Sequence, residues 1–267
     1  MARTRVRIRV QEALYIPAFF QKDSAVPSGY SRPATPQPVE RALRQEAGFG
    51  CAKCGHPYLE YHHIVPFSEE AHFRPQDMIA LCGNCHPAVA KWQRDRQYEL
   101  KAKPKNIQNG KFLGALEFDK RDLIFKVGGS WYDETPVILQ FFNKPIIACT
   151  IADGQALVSL ELLDQMGRTL IKVVENQVSF RVDDLWDFEY AHNIAIARYG
   201  RRDVALRLDF RAAEAVIEGK IWLGNTQIVL GKEETTLPNA NVLRGGRISQ
   251  CGVGVQIGDP NQNPWRI

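Results

Sequence analysis

Beyond residue 112 the chain settles into one texture. Runs such as TPVILQFF, KPIIACTI, ALVSLELL, TLIKVV, QVSFRV, NIAIARYG, DVALRLDF, AVIEGKIWL and TQIVL are short and rich in Val, Ile and Phe, and the turns DG, MG, EN, YGRRD and GN separate them. Apolar runs of this length between turn residues predict strands, and their close spacing predicts an antiparallel β domain, built as a sandwich or a rolled sheet. The Gly-rich RGGRISQCGVGVQIGDPNQNPWRI that follows reads as a loosely ordered tail or a final edge strand.

The first hundred residues are patterned differently. VRIRV alternates with period 2 and predicts a strand with one arginine face. KDSAVPSGYSRPATPQP, rich in Pro, Ser and Gly, predicts a loop or linker. PQPVERALRQEAG then predicts a helix: Pro38 suits its first turn, Val39, Ala42 and Leu43 share a face, and Gly48 stops it. GNCHPAVAKWQRDRQYELKAK predicts a second helix, with Pro87 in its first turn and Val89, Trp92 and Arg96 at helical spacing, and KPKNIQNG ends it. The expected class is α+β: a basic strand and linker over 1–35, a small domain over 36–105, and a larger, mostly antiparallel β domain over 106–267.

Composition fits this division. The 267 residues are 45% hydrophobic and 24% charged, a globular balance with length for one or two domains. No stretch approaches the roughly 18 apolar residues of a membrane span, and MARTRVRIRV followed by the short ALYIPAFF makes a poor secretory signal. The expectation is a cytoplasmic protein with no membrane partner. The net charge of +4 is unevenly spread, with +4 on residues 1–10, +5 on residues 91–111 and −5 on the remainder. Two short basic segments beside an acidic remainder suggest a local face for a polyanion, against the plainer reading of solvated charge on a helix and a tail.

Between residues 51 and 86 lie four of the six cysteines and five of the six histidines. Cys51-x-x-Cys54 and Cys82-x-x-Cys85 each put two thiolates within reach of one ion, and the 27 residues between the pairs can loop back to join them. Four sulfurs make a closed tetrahedral Zn²⁺ site, which contributes about 10–16 kcal/mol of apparent binding energy that is also folding energy. Two disulfides or a redox pair are the competing readings, and neither explains two paired knuckles. With the cysteines engaged, the histidines inside the loop are available for other chemistry. LEYHHIVPF puts His62 and His63 on opposite faces of one extended stretch, and His86 follows the last cysteine at the start of the predicted helix.

CAKCG, YHHIVPF and RPQDMIALCGNCH, in that order over about residues 40–92, resemble the HNH endonuclease family, whose core is a ββα-metal fold. The resemblance implies that His62 turns toward a divalent ion as a ligand and that His63 faces the scissile phosphate as general base for an attacking water. It implies further that the ion, held by His62 and His86, stabilises charge on phosphorus and on the departing 3′ oxygen. Mg²⁺ or Mn²⁺ is the expected catalytic ion, with Zn²⁺ or Ni²⁺ as alternatives suited to imidazole. DNA is the expected substrate, and RNA stays open. Two positions depart from the family's common pattern: Asp77 stands where many members have asparagine, and Ala90 where several have a further histidine. Asp77 is expected either to complete the ion's shell or to pin its loop by bonding backbone N–H groups.

The remaining candidates are read more plainly. His56 and His72 are expected to be surface or loop-packing residues, His192 a turn or satisfied core position, Cys149 and Cys251 small apolar fillers, and Trp92 a core residue. Lys91, Arg94, Arg96, Lys101, Lys103 and Lys105 follow His86 and are expected to line the phosphate backbone. Residues 112–267 hold 17 basic and 20 acidic side chains, a poor balance for a broad DNA-binding face, so homo-oligomerisation or sensing is the role expected there. A metal-dependent phosphodiesterase in bacterial or phage defence is the leading expectation, the defence role by analogy of architecture. The alternative is a zinc-stabilised nucleic-acid-binding or assembly module that does not cleave.

Overall fold

Helix α1 (Gln37–Glu46) forms where the pattern placed it, with Pro38 in its first turn, Val39 and Leu43 buried, and Gly48 turning the chain out at φ +64°. The computed structural model describes residues 33–116 and 124–262. The VRIRV segment, the arginines of residues 1–10 and the linker up to residue 32 lie outside them. Thr35–Ile267 form one compact unit, in which a small α/β head precedes a large β region. No helix among the described residues is long and apolar enough to cross a membrane.

In the head, the first cysteine pair leads into β1 (Glu60–His63), a loop follows, and a 3-10 turn at Pro75–Asp77 returns the chain in β2 (Met78–Leu81). The two strands are antiparallel, with His62 opposite Ile79 and His63 opposite Met78. The second cysteine pair opens onto α2 (His86–Val89). The single helix expected over 83–103 is in fact broken: α3 (Arg94–Ala102) starts only after Gln93, whose ψ of 143° is extended. Packing accounts for the break. Val89 is fully buried in a cluster with Cys51, Ile64, Ile79 and Leu81, and Trp92, Tyr98 and Leu100 fold onto the same cluster. The Trp92 carbonyl accepts from the side chain of Gln97 at 2.9 Å. KPKNIQNG, expected only to end that helix, forms α4 (Lys105–Asn109). Asn106 donates to the Gly48 carbonyl at 3.0 Å and Lys105 N to the Ala52 carbonyl at 2.9 Å, so α4 stays with the head.

Gly110, at φ +67°, turns the chain into the β region. Every apolar run named from the sequence there is a strand. A seven-stranded sheet holds, in spatial order, Val253–Ile257, Val137–Phe141, Lys144–Ala152, Gln155–Leu163, Thr169–Val174, Gln177–Arg181 and Lys111–Ala115. A second sheet runs from Asp187–Ala191 through Ile194–Gly200, Asp203–Asp209, Ala215–Leu223 and Thr226–Leu230 to Val242–Arg244, with Ile124–Val127, Ser130–Asp133 and Arg247–Ser249 alongside. Pairing is mostly antiparallel. Phe112, Val158, Leu162 and Phe180 from the first sheet and Phe188, Ile217, Ile221 and Ile228 from the second share one core, which makes the region a sandwich. Of the two readings of the Gly-rich stretch the edge strand holds, Val253–Ile257 pairing in parallel with Val137–Phe141 at the sheet edge. Cys149 fills the core as expected, but Cys251 is exposed, its thiol donating to the Ser249 carbonyl at 3.4 Å.

Candidate metal centres

The two cysteine knuckles close on each other because backbone bonds shape both. Cys51 O accepts from Gly55 N at 2.8 Å, Cys82 O accepts from Cys85 N at 3.0 Å and His86 N at 2.9 Å, and Ala52 N ties the first knuckle to Ala80 O at 3.0 Å. All four Sγ atoms lie within 4.8 Å of one another, Cys54 and Cys82 at 3.6 Å, and none is in a disulfide. Sulfurs bound tetrahedrally to zinc stand about 3.8 Å apart, so the cluster can hold such an ion, and the disulfide alternative falls. Crowding sets the thiol chemistry. Burial and the neighbouring Cys51 push Cys54 up to about 11 despite a backbone bond from His56. Burial also acts to raise Cys82, but the Cys85 N–H and the adjoining thiols outweigh it and hold Cys82 below the usual thiol range.

Beside this cluster His62 and His86 meet. Nδ1 of His62 is 3.0 Å from Nε2 of His86, and the partners of the two other nitrogens decide what this approach means. The Trp92 carbonyl can only accept, so Gln97 turns its NH₂ to it at 2.9 Å and its Oε1 toward His62 Nε2, also at 2.9 Å. An amide oxygen only accepts, so His62 Nε2 carries the hydrogen and Nδ1 the lone pair. Glu60 Oε2 accepts from His86 Nδ1 at 2.5 Å, which leaves the lone pair of the neutral ring on Nε2. With both rings neutral, two imidazole lone pairs face each other at hydrogen-bond distance. A cation bound at about 2.1 Å with cis ligands brings two nitrogens to about 3 Å, so this donor set fits a divalent ion.

His63 turns to the other face of β1, as strand alternation requires. It is 5% exposed, with the rings of Phe67, Phe73 and His72 around it at 5.5, 5.8 and 4.8 Å. Its Nε2 donates to the His72 carbonyl at 2.8 Å, which puts the lone pair of the neutral ring on Nδ1. His72 is buried too, Nε2 donating to Val65 O at 3.0 Å and Nδ1 accepting from Arg74 N at 3.2 Å, so it holds the loop that seats His63. Asp77 is not brought to the histidine pair: with His62 and His86 it forms no group of donors within 4.8 Å among the described residues. Its Oδ2 accepts from Arg74 Nε at 2.6 Å and its Oδ1 from Tyr98 OH at 2.9 Å, while its carbonyl accepts from Ile64 N at 2.8 Å.

The basic candidates divide. Arg94 pairs with Glu69 and Lys101 with Glu46, whereas Lys91, Lys103 and Lys105 are exposed on α2, α3 and α4 or their ends. The Arg96 guanidinium lies 3.8 Å from the Trp92 ring centroid, so Trp92 is half core and half a stacking platform. His56 is exposed, and His192 lies exposed in a turn. Glu60 and Gln97 were not anticipated. Glu60 had a signal, standing two residues before His62 on the same strand face; Gln97 had none, because its reach depends on the break between α2 and α3.

A strand pair and short helix around a four-cysteine cluster and two converging histidines define a small metal-site domain. Residues 50–90 match the family model described as HNH endonuclease, so the head contains an HNH domain, the hallmark of a nuclease family. No curated protein and no solved structure matches the chain.

Proposed function

We propose that the head is a metal-dependent HNH endonuclease that hydrolyses phosphodiester bonds of DNA. The observation that carries this reading is the approach of His62 Nδ1 to His86 Nε2 at 3.0 Å beside the cysteine cluster. His62 and His86 would hold the divalent ion, Mg²⁺ or Mn²⁺ before Zn²⁺ or Ni²⁺, and its charge would stabilise the crowded phosphoryl oxygens and the leaving 3′ oxygen. His63, on the opposite face of β1 from His62, takes the proton of the attacking water. Asp77, engaged by Arg74 and Tyr98, pins the loop between the two strands. Lys91, Arg96, Lys103 and Lys105 attract the phosphate backbone without reading sequence. The four cysteines hold structural zinc. A place in bacterial or phage defence, with the β region for sensing or self-association, rests on analogy of architecture alone.

A second reading, a zinc-stabilised nucleic-acid-binding or assembly module that does not cleave, is favoured by the enclosure of His63 and by Ala90. Supercoiled plasmid separates the two. Nicking in Mg²⁺ or Mn²⁺ that EDTA and His63→Ala both abolish supports the nuclease; binding without nicking in either metal supports the module.

A further inference from the structure

We infer that Gln97 is a positioning residue of the histidine pair, holding His62 in the one tautomer that can present Nδ1 to a cation. The inference rests on the metal role proposed for His62 and His86. Gln97 is in α3, beyond the residues that match the HNH model, and is 4% exposed. A polar amide buried this deeply costs free energy unless both of its ends are bonded, and packing alone would be served by leucine. Both ends are bonded, and in one orientation only: the NH₂ to the Trp92 carbonyl, the oxygen to His62 Nε2.

The bond selects between two states of His62. With the hydrogen on Nε2, Gln97 accepts it and Nδ1 is an electron-pair donor facing His86. With the hydrogen on Nδ1, His62 and His86 satisfy each other by an ordinary hydrogen bond, and His62 Nε2 then confronts the Gln97 oxygen as lone pair against lone pair at 2.9 Å. The second state closes the site to an ion. Gln97 disfavours it from a helix that the unbroken α2–α3 run would have aimed elsewhere. Glu60 does the matching work on His86 from within the matched region.

The test uses the full chain with zinc in the cysteine cluster, ¹⁵N-labelled histidine and no added second metal, near pH 8. Long-range ¹H–¹⁵N spectra read which His62 nitrogen carries the hydrogen, and calorimetry reads Mn²⁺ affinity. Wild type is expected to show Nε2–H. Gln97→Leu is expected to shift His62 toward Nδ1–H and to weaken Mn²⁺ binding about 10- to 100-fold. Gln97→Glu, which keeps an acceptor at His62, is expected to stay near wild type in tautomer. Zinc stoichiometry of one per chain in each variant reports an intact head. His62 protonated at Nδ1 in wild type, or unchanged tautomer and Mn²⁺ affinity in Gln97→Leu, overturns the inference. A wild type with the expected tautomer that binds no Mn²⁺ overturns the metal reading beneath it, and the spectra tell that failure apart.

Discussion

The guanidinium of Arg44 grips the carboxylate of Asp187, Nε on Oδ1 at 3.0 Å and Nη2 on Oδ2 at 2.8 Å, joining residues 143 apart in sequence. Asp187 is fully buried and Arg44 nearly so. Arg41 Nε adds a bond to Asp187 Oδ2 at 3.3 Å, and Arg44 Nη1 donates to the hydroxyl of Tyr61 at 3.1 Å, next to His62 on β1. One side chain thus ties α1 to the strand that bears the histidines and to the first strand of the second sheet.

Removing one partner of such a pair strands a buried charge. Asp187→Ala is expected to cost about 3–5 kcal/mol of stability, because the Arg44 guanidinium cannot return to water without undocking α1. The double change Arg44→Met with Asp187→Leu, which removes both charges, is expected to cost far less. Urea denaturation of the single and double variants measures the difference; equal losses would mean that a stranded Arg44 charge is not what destabilises the single variant.

The cysteine cluster is expected to determine whether the head folds. Cys51 and Cys82 are buried in one small apolar cluster with Ile64, Ile79, Leu81 and Val89, beside a second of Val39, Leu43, Ala47, Met78 and Ala80, and two clusters this small leave the head short of stability on its own. Zinc binding of about 10–16 kcal/mol makes up the shortfall. A strong chelator, or Cys82→Ser, should therefore make residues 36–109 sensitive to protease and leave the sandwich, with its own core, resistant. Resistance of both parts would show that the head stands without metal.

His62 and His63 should separate by readout. His63→Ala is expected to lower plasmid nicking by about 10²- to 10⁴-fold and leave Mn²⁺ affinity unchanged, as loss of a general base does. His62→Ala is expected to abolish both. Asp77→Asn should leave Mn²⁺ affinity unchanged, since its oxygens serve Arg74 and Tyr98; a tenfold loss there would return Asp77 to the ion's shell.

What could be read in the sequence follows physical range. Ala215–Leu223 alternates buried and half-buried positions without a break, so period 2 was visible in AVIEGKIWL. The EN turn was visible too, and Glu175 and Asn176 both take positive φ, with Asn176 Oδ1 accepting from Val158 N at 2.8 Å. Ser130–Asp133, as SWYD, and Asp187–Ala191, as DFEYA, carry little apolar signal and become strands through their neighbours. In the head, spacing along the chain pointed to the four cysteines that the fold gathers and to His62 and His86, whose rings meet. Gln97 and Asp187 were hidden because each acts through a partner 35 or more residues away, and nothing local marks a buried amide or a buried carboxylate.

Acid stability offers a last test, best made in the sandwich, because low pH also strips zinc from thiolates and would unfold the head for another reason. Asp209 accepts from Arg211 Nε at 2.8 Å and Nη2 at 2.6 Å and from Arg207 Nη2 at 2.7 Å. The Arg211 bonds first, and Arg207 with them, outweigh burial and hold the Asp209 carboxyl far below the usual carboxylate range. A carboxyl lower in the folded than in the unfolded chain binds fewer protons when folded. Its stabilisation is therefore present in full above the unfolded value, near pH 4, and is lost as pH falls through the folded value. Asp209→Asn is expected to make the sandwich less stable than wild type at neutral pH. That gap should narrow steadily in more acidic solution below about pH 4, where the unfolded wild-type chain begins to take up the proton. Urea midpoints of the sandwich at a series of pH values follow the gap. A gap that stays constant into acid would mean that Asp209 acts only as a hydrogen-bond acceptor of fixed strength, and that its arginines do not hold the proton off.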